Sequence, residues 1–395
     1  MSKIVLNGIT WGHSRGITPL FAAAQRFTEL HPDVEINWKK RTLQEFADYP
    51  IEKLTKQYDI LIIDHPWVGC AAATKCVLPL DEYLSKGYLK EQLNNSVGYS
   101  HLSYNYEGHQ WALAIDAAAP VASYRPDLLE RNNTVVPETW LEIIFLARKG
   151  KLAVPSIPVD LLMHFYMFCG THGNDPFLDG EEVIDRETGL KSLSSMKELW
   201  SLVNKKMFEC NPIAIAELMT LTDDYWYCPF AYGYSNYSRR GYAQSLLKYT
   251  NIIDFESEHH FRSTLGGTGI AVSSFTKNKK WAIRFAEWVT SSVIQSTLYV
   301  QNGGQPGHRS AWISKEVNRN CNDFFSDTLD TIDRAFVRPR YNGYLHFQDH
   351  AGVPLQKYLL RGGSPGKVLE EMNTLYQNSK RDENKLSNKY NSNLK

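Results

Sequence analysis

No stretch of the 395-residue chain approaches the roughly 20 consecutive apolar residues that a membrane-spanning helix needs. Neither charge dominates. Forty-three basic residues stand against 43 acidic ones, a formal net charge of +0. That balance argues against a surface built for nucleic acid or an anionic bilayer. Cysteine is sparse and scattered. The six thiols (Cys70, Cys76, Cys169, Cys210, Cys228 and Cys321) form no CxxC pair and no tight framework. Such spacing predicts reduced, mostly buried thiols and a reducing compartment. Met1-Ser2-Lys3 runs directly into the strand-like Ile4-Val5-Leu6, with no apolar leader core and no small-residue cleavage site. The expectation is therefore a cytoplasmic chain, with a periplasmic or cell-surface location requiring a leader outside this sequence.

Signatures of catalysis and of resident groups are also missing. RGGSPGKV (361–368) lacks Gly at Arg361 and Ser or Thr at Val368, so it is not a phosphate loop. GGTGIA (266–271) lacks dinucleotide spacing, and neither HExxH nor GxSxG occurs. His259-His260 lacks the i, i+4 spacing of a helical metal pair. No cofactor and no metal is expected.

What is abundant is aromatic: 22 Tyr and 10 Trp bring Phe, Trp and Tyr to 12% of the chain. Flat apolar faces suit sugar rings and ordinary cores alike. The length exceeds the ~250–300 residues at which one core stops growing, so about two domains are expected. Residues 3–11 read as a strand, Thr18-Pro19 as a helix entry, and Val34, Ile36 and Trp38 as an alternating second strand. Residues 58–63 form an apolar run fit for a parallel strand buried on both faces. This alternation predicts an open, mostly parallel sheet. Thr139 and Glu142 fit a capping box. Residues 152–157 read as a further strand, and 159–169, 195–207 and 279–299 as helices. Gly266, Gly267 and Gly269 mark a flexible joint.

The order of elements resembles the bacterial extracellular solute-binding proteins of family 1, the sugar receptors of ABC importers. The resemblance covers residues 3–376. It is carried by HPDVEINW (31–38), YDILIIDHPWVG (58–69), ALAIDAAAPVASYRPDLL (112–129), VPETWLEII (136–144), LGGTGIAVSS (265–274) with KNKKWAIRFAEWV (277–289), and NGGQPGHRSAW (302–312). It implies the two-lobed type II periplasmic-binding-protein fold: α/β, two open mostly parallel sheets, and a cleft between the lobes. Expected boundaries are 1–112 plus 268–335 for one lobe and 113–267 plus 336–378 for the other, with 379–395 a disordered tail. Two departures from the family stand out: the absent secretion signal, and DDYWYCPFAYGYSNYSRRGY (223–242) in place of the usual second-lobe binding segment.

Ligands of open α/β sheets sit beyond the carboxyl ends of the strands. That rule selects Trp11, His13 and Arg15 after the first strand, Asp64, His65 and Trp67 after the third, and Asp116 near the first crossing. A strand-end Asp can accept two hydroxyls, and Arg can donate to a hydroxyl, carboxylate or phosphate. On the second lobe the candidates are Tyr227, Tyr232, Tyr234 and Tyr237; Gly267, Gln305, His308, Arg309 and Arg338 complete the set. Packing roles compete throughout: Trp11 as core, Asp64 as a helix cap, the tyrosines as lobe surface.

Two functions follow. The first is a monomeric binding protein that closes on a small polar ligand (a carbohydrate, a sugar acid or similar) and serves an ABC permease if exported. The second is a cytosolic enzyme or sensor on the same fold, with His13, His65 and His308 beside Asp64 and Asp116 as acid–base groups on a small carboxylate or acyl metabolite.

Overall fold

A computed structural model describes residues 3–42, 51–253, 255 and 262–392, with side chains described as far as 381. The chain opens with β1 (Ile4–Trp11), α1 (Ser14–Leu30), β2 (Val34–Arg41) and β3 (Ile60–Ile63). β1 pairs in parallel with β2 and β3. Every residue of β3 is buried, as its unbroken apolar run requires. β4 (Leu113–Ala118) and the returning β8 (Gly266–Val272) complete a five-stranded sheet in the order β2-β1-β3-β8-β4. β8 is antiparallel to both neighbours, because the chain re-enters this sheet at the end where it left.

A second sheet holds β5 (Pro120–Tyr124), β6 (Tyr227–Tyr232) and β7 (Lys248–Thr250) in the order β6-β5-β7. Here the expectation of mostly parallel strands is corrected. β6 and β7 both run antiparallel to β5. The expected strand 152–157 is reduced to one parallel bridge, Leu152 to Tyr227. Pro155 lies inside that segment and Pro158 follows it, and proline supplies no N–H to a ladder.

The change of sheet falls between Ala118 and Pro120, so 113–118 lies in the first sheet. The two elements abut because Ala119 is the only residue between them.

α2 (Trp140–Arg148) begins with the capping box formed by Thr139 and Glu142. α3 (Pro158–His172) is buried almost all round, through Leu161, Leu162, Phe165, Met167 and Phe168. It packs against α4 (Arg186–Trp200) and α7 (Tyr344–Arg361). Each such aliphatic or aromatic side chain contributes roughly 1.5–3 kcal/mol on burial. α5 (Pro212–Leu221) and α6 (Lys279–Val289) are shorter. The helix expected over 195–207 ends at Trp200, and a 3-10 turn follows.

Two further expectations change. α1 starts at Ser14 with His13 as its cap, leaving Pro19 inside the helix. His13 accepts the Arg15 N–H through Nδ1, a bond that Thr18 cannot supply so far upstream. α8 (Pro365–Ser392) carries helical backbone through most of the segment expected as a disordered tail; 393–395 lie outside the described residues. No Gly or Pro follows Gly366 to stop it. None of the six cysteines is disulfide-bonded. No described helix is long and apolar enough to cross a membrane.

Candidate functional site

A cavity of about 270 Å³ opens between the two sheets. Trp11, Ala118 and Gly266-Gly267-Thr268 reach it from the first sheet, and Tyr232 and Tyr234 from the end of β6. Four helices contribute: Arg15 from α1, Ile157, Val159, Asp160 and Met163 around the start of α3, Asn211 and Pro212 at the start of α5, and Gln348 from α7. Asp64 and Arg338 close the set.

Two ion pairs, one buried and one partly buried, dominate the first-sheet side. Arg15 donates to both carboxylate oxygens of Asp116, the Nε bond being 2.8 Å, and sends Nη1 to the Gly233 carbonyl at 2.9 Å. Burial opposes the Arg15 charge, but Asp116 more than offsets it and raises the pKa further. The guanidinium lies 4.8 Å from the Tyr234 ring centre and 5.7 Å from that of Trp11, within cation–π range. Arg338 donates from Nη2 to both oxygens of Asp64 at 2.7 Å, and from Nη1 to Gln348 Oε1 at 2.8 Å. Asp64 also accepts the His65 N–H at 2.8 Å. Burial works against the Asp64 charge, yet Arg338 and His65 hold its carboxyl well below the usual range. Asp64 is thus both a turn cap and a cavity wall.

The backbone of β8 makes room for these groups. Gly267 has φ +97, and a Cβ there would meet the Asp116 carbonyl at 2.4 Å. At Gly266 a Cβ would meet the Tyr232 ring at 2.5 Å. Only glycine permits both approaches.

Of the residues selected from sequence, Trp11, Arg15, Asp64, Tyr232, Tyr234, Gly267 and Arg338 line the cavity. Asp116 stands directly behind Arg15. His65 is fully buried, its Nδ1 3.3 Å from Asp64, and burial with nearby Arg338 lowers its pKa to about 4. His13 stacks on Trp11 at 5.7 Å with its Nε2 3.3 Å from the Tyr242 hydroxyl; burial and then Arg15 lower its pKa to about 4.

The remaining selections lie elsewhere. Trp67 belongs to a satellite core with Ile9, Leu61 and Trp111. Tyr227 pairs with Tyr124 at the far end of β6, whereas Tyr232 pairs with Pro120 beside the crossover. Tyr237 gives its hydroxyl to Glu217 at 2.7 Å. Gln305 ties Ser235 N at 3.1 Å to the Ala117 carbonyl at 2.8 Å, a structural stitch. His308 sits on Glu91 at 2.8 Å, and Arg309 on Asp333 and the Ser96 carbonyl. The loop carrying them is held outside the cavity by the Ser96–His308 and Asp116–Pro306 bridges. His308 is therefore not brought to His13 and His65 as an acid–base group. His259-His260 lie outside the described residues.

Sequence reasoning missed Asp160, Met163, Asn211 and Gln348. Asp160 carried a usable signal, since it sits in the first turn of a Pro-started helix. The residue is 5% exposed, its Oδ2 is buried without a hydrogen-bond partner, and burial pushes its pKa up to about 8.

Two α/β lobes with a polar, aromatic-walled cavity between their sheets define the class of two-lobed solute receptors. The model of the bacterial extracellular solute-binding protein matches residues 13–296, and the chain belongs to that family. Solved structures similar to it include the maltose-bound MalE3 of T. maritima, with a TM-score of 0.82 and 16% identity over 95% of this chain and 99% of that one. An ABC transporter solute-binding protein of Agrobacterium radiobacter in complex with ribitol gives 0.78 and 17% over 94% and 97%. One from Thermotoga lettingae bound with α-D-tagatose gives 0.77 and 15% over 95% and 100%.

Proposed function

We propose that this chain is a receptor that holds one small polyhydroxylated molecule, a monosaccharide or polyol, between its lobes and delivers it, as a monomer, to an ABC-type permease. One observation carries the reading. One cavity is walled by residues of both sheets, with Arg15, the Asp64–Arg338 pair and three aromatic rings facing the same space. Aimed hydrogen bonds with apolar ring faces are what a hydroxylated ring requires. The volume lies below the ~300–1,000 Å³ of drug-sized pockets, which suits one ring or a short polyol rather than a long oligosaccharide. Maltose, ribitol and tagatose in the similar structures support the same ligand class. The lobes would divide where the chain changes sheet, near 119, 265 and 336, and would hinge there to close on the ligand.

Native mass spectrometry of the purified protein tests this by detecting a co-purified molecule. Small-angle scattering with ribitol, tagatose and maltose tests closure. A bound polyol or sugar with a smaller radius of gyration is the expected outcome. No bound molecule, together with no compaction across a broad set of sugars and polyols, would overturn the reading.

A further inference from the structure

One carboxyl at the cavity is left without a partner. Arg15 is matched by Asp116, and Arg338 by Asp64, each through contacts to both carboxylate oxygens. Asp160 has no such partner. It lines the cavity at 5% exposure, and its Oδ2 is without a hydrogen bond. The titratable groups that feel its charge are Cys228, Tyr232 and Tyr234, all on or just after β6, and none is cationic. On its own helix the next titratable group is His164, one turn on, whose burial lowers its pKa to about 3 and keeps it neutral. Nothing pulls the Asp160 carboxyl back from the value that burial sets.

We propose that the ligand carries a cationic group, a protonated amine on a small hydroxylated frame, and that Asp160 is its countercharge. This rests on the reading of the cavity as the ligand site and names the ligand's charge within it. A buried carboxylate is costly unless it is paired, and here only the occupant can supply the pair.

The competing choice is an anion such as a sugar acid, which the number of arginines suggests at first sight. The geometry disfavours it. The Arg15 Nε, Nη1 and Nη2 groups all already donate to protein acceptors, as do both Arg338 Nη groups. The helix starts that face the cavity are occupied as well. His13 caps α1, Asn211 caps α5 by accepting Ala214 N–H at 2.9 Å, and the Asp160 side chain occupies the first turn of α3. An anion would find most guanidinium donors already engaged, with Arg338 Nε alone among them without a partner, and the Asp160 carboxyl on the facing wall.

The test uses matched pairs on the full chain: D-glucosamine against D-glucose, D-galactosamine against D-galactose, and glucamine against sorbitol, with D-glucuronate as the anionic arm. Dissociation constants come from titration calorimetry at pH 7 in two buffers of different ionisation heat. At least one amine is expected to bind tenfold or more tightly than its hydroxyl partner. It should release close to one proton, because an acid protonated in the empty cavity ionises on pairing. Asp160→Asn should fold and should abolish both the amine preference and the proton release. Equal or tighter binding of the hydroxyl members or of glucuronate overturns the proposal. So does an amine preference that survives in D160N. The function itself fails separately. Hydroxyl sugars that bind wild type but not the cavity-filling Met163→Trp leave the receptor reading standing without the amine. Absence of binding by every member, with nothing found by native mass spectrometry, removes both.

Discussion

The two walls of the cavity differ in kind. The first-sheet wall is largely paired within itself: Arg15 holds Asp116, Arg338 holds Asp64, and Gly233 and Gln348 accept from the Nη1 groups, which leaves Arg338 Nε as the guanidinium nitrogen without a partner. The opposite wall presents Ile157, Val159, Met163 and one unpaired carboxyl, Asp160. A satisfied polar network is rigid and specifies one geometry. An unsatisfied group stores a preference for whatever will complete it. The contrast suggests a division of labour in which one wall is scaffold and the other selects.

Four substitutions sharpen or break that contrast. The largest effect is expected from Asp116→Ala. It strands Arg15, whose side chain is 4% exposed, and should cost about 3–5 kcal/mol in denaturant unfolding. A loss below ~1 kcal/mol would mean that the first wall is not the scaffold.

Asp160→Asn is expected to act in the other direction and with a pH signature. The unfolded carboxyl titrates near 3.8, and the folded one at about 8. Between those values the folded state binds more protons, so this group makes stability fall as pH rises from about 4 to about 8 and leaves it level above. The asparagine variant should therefore gain progressively on wild type across that window and keep the gain above it. The groups facing Asp160 stay out of the window: burial takes Cys228 up to about 12 and His164 down to about 3, and Tyr232 and Tyr234 rise above their ordinary values. Across the cavity Arg15 and Arg338 are raised and Asp64 is lowered. A pH-independent difference between variant and wild type would contradict this.

Asp64→Ala should cost less than Asp116→Ala, about 2 kcal/mol by thermal or denaturant unfolding, because Asp64 is 21% exposed and Arg338 retains Gln348. Equal losses at the two pairs would erase the difference between them. Tyr232→Phe should change stability by no more than ~0.5 kcal/mol, since its half-buried ring faces the cavity and Gly266 leaves space for it. Any large effect there should appear in ligand affinity instead.

The legibility of the site follows the locality of its signals. Trp11 and Asp64 were readable because each ends a strand with a clear pattern, and strand ends in such sheets meet the cleft. Gly267 was readable because three glycines within four positions demand a backbone reason. His308, Arg309 and Gln305 carried equally strong residue types on a turn-rich loop, yet that loop is bridged to β4 and to Ser96 outside the cavity. No local pattern reports which way a loop turns. Asp160 and Gln348 sit on helices separated from the first sheet by long stretches of chain, and they face the cavity only once α3 and α7 are packed.

Period, caps and glycine placement are local properties, and from them alone came the α/β class, the buried β3 and the capping box of α2; the cleft came from the resemblance to the family. The direction of the second sheet, the start of α1, the pairing of each arginine and the solitude of Asp160 depend on groups as far as 274 residues apart, the separation of Asp64 and Arg338. Charge pairing and desolvation are set by neighbours in space, so only the folded chain could decide them.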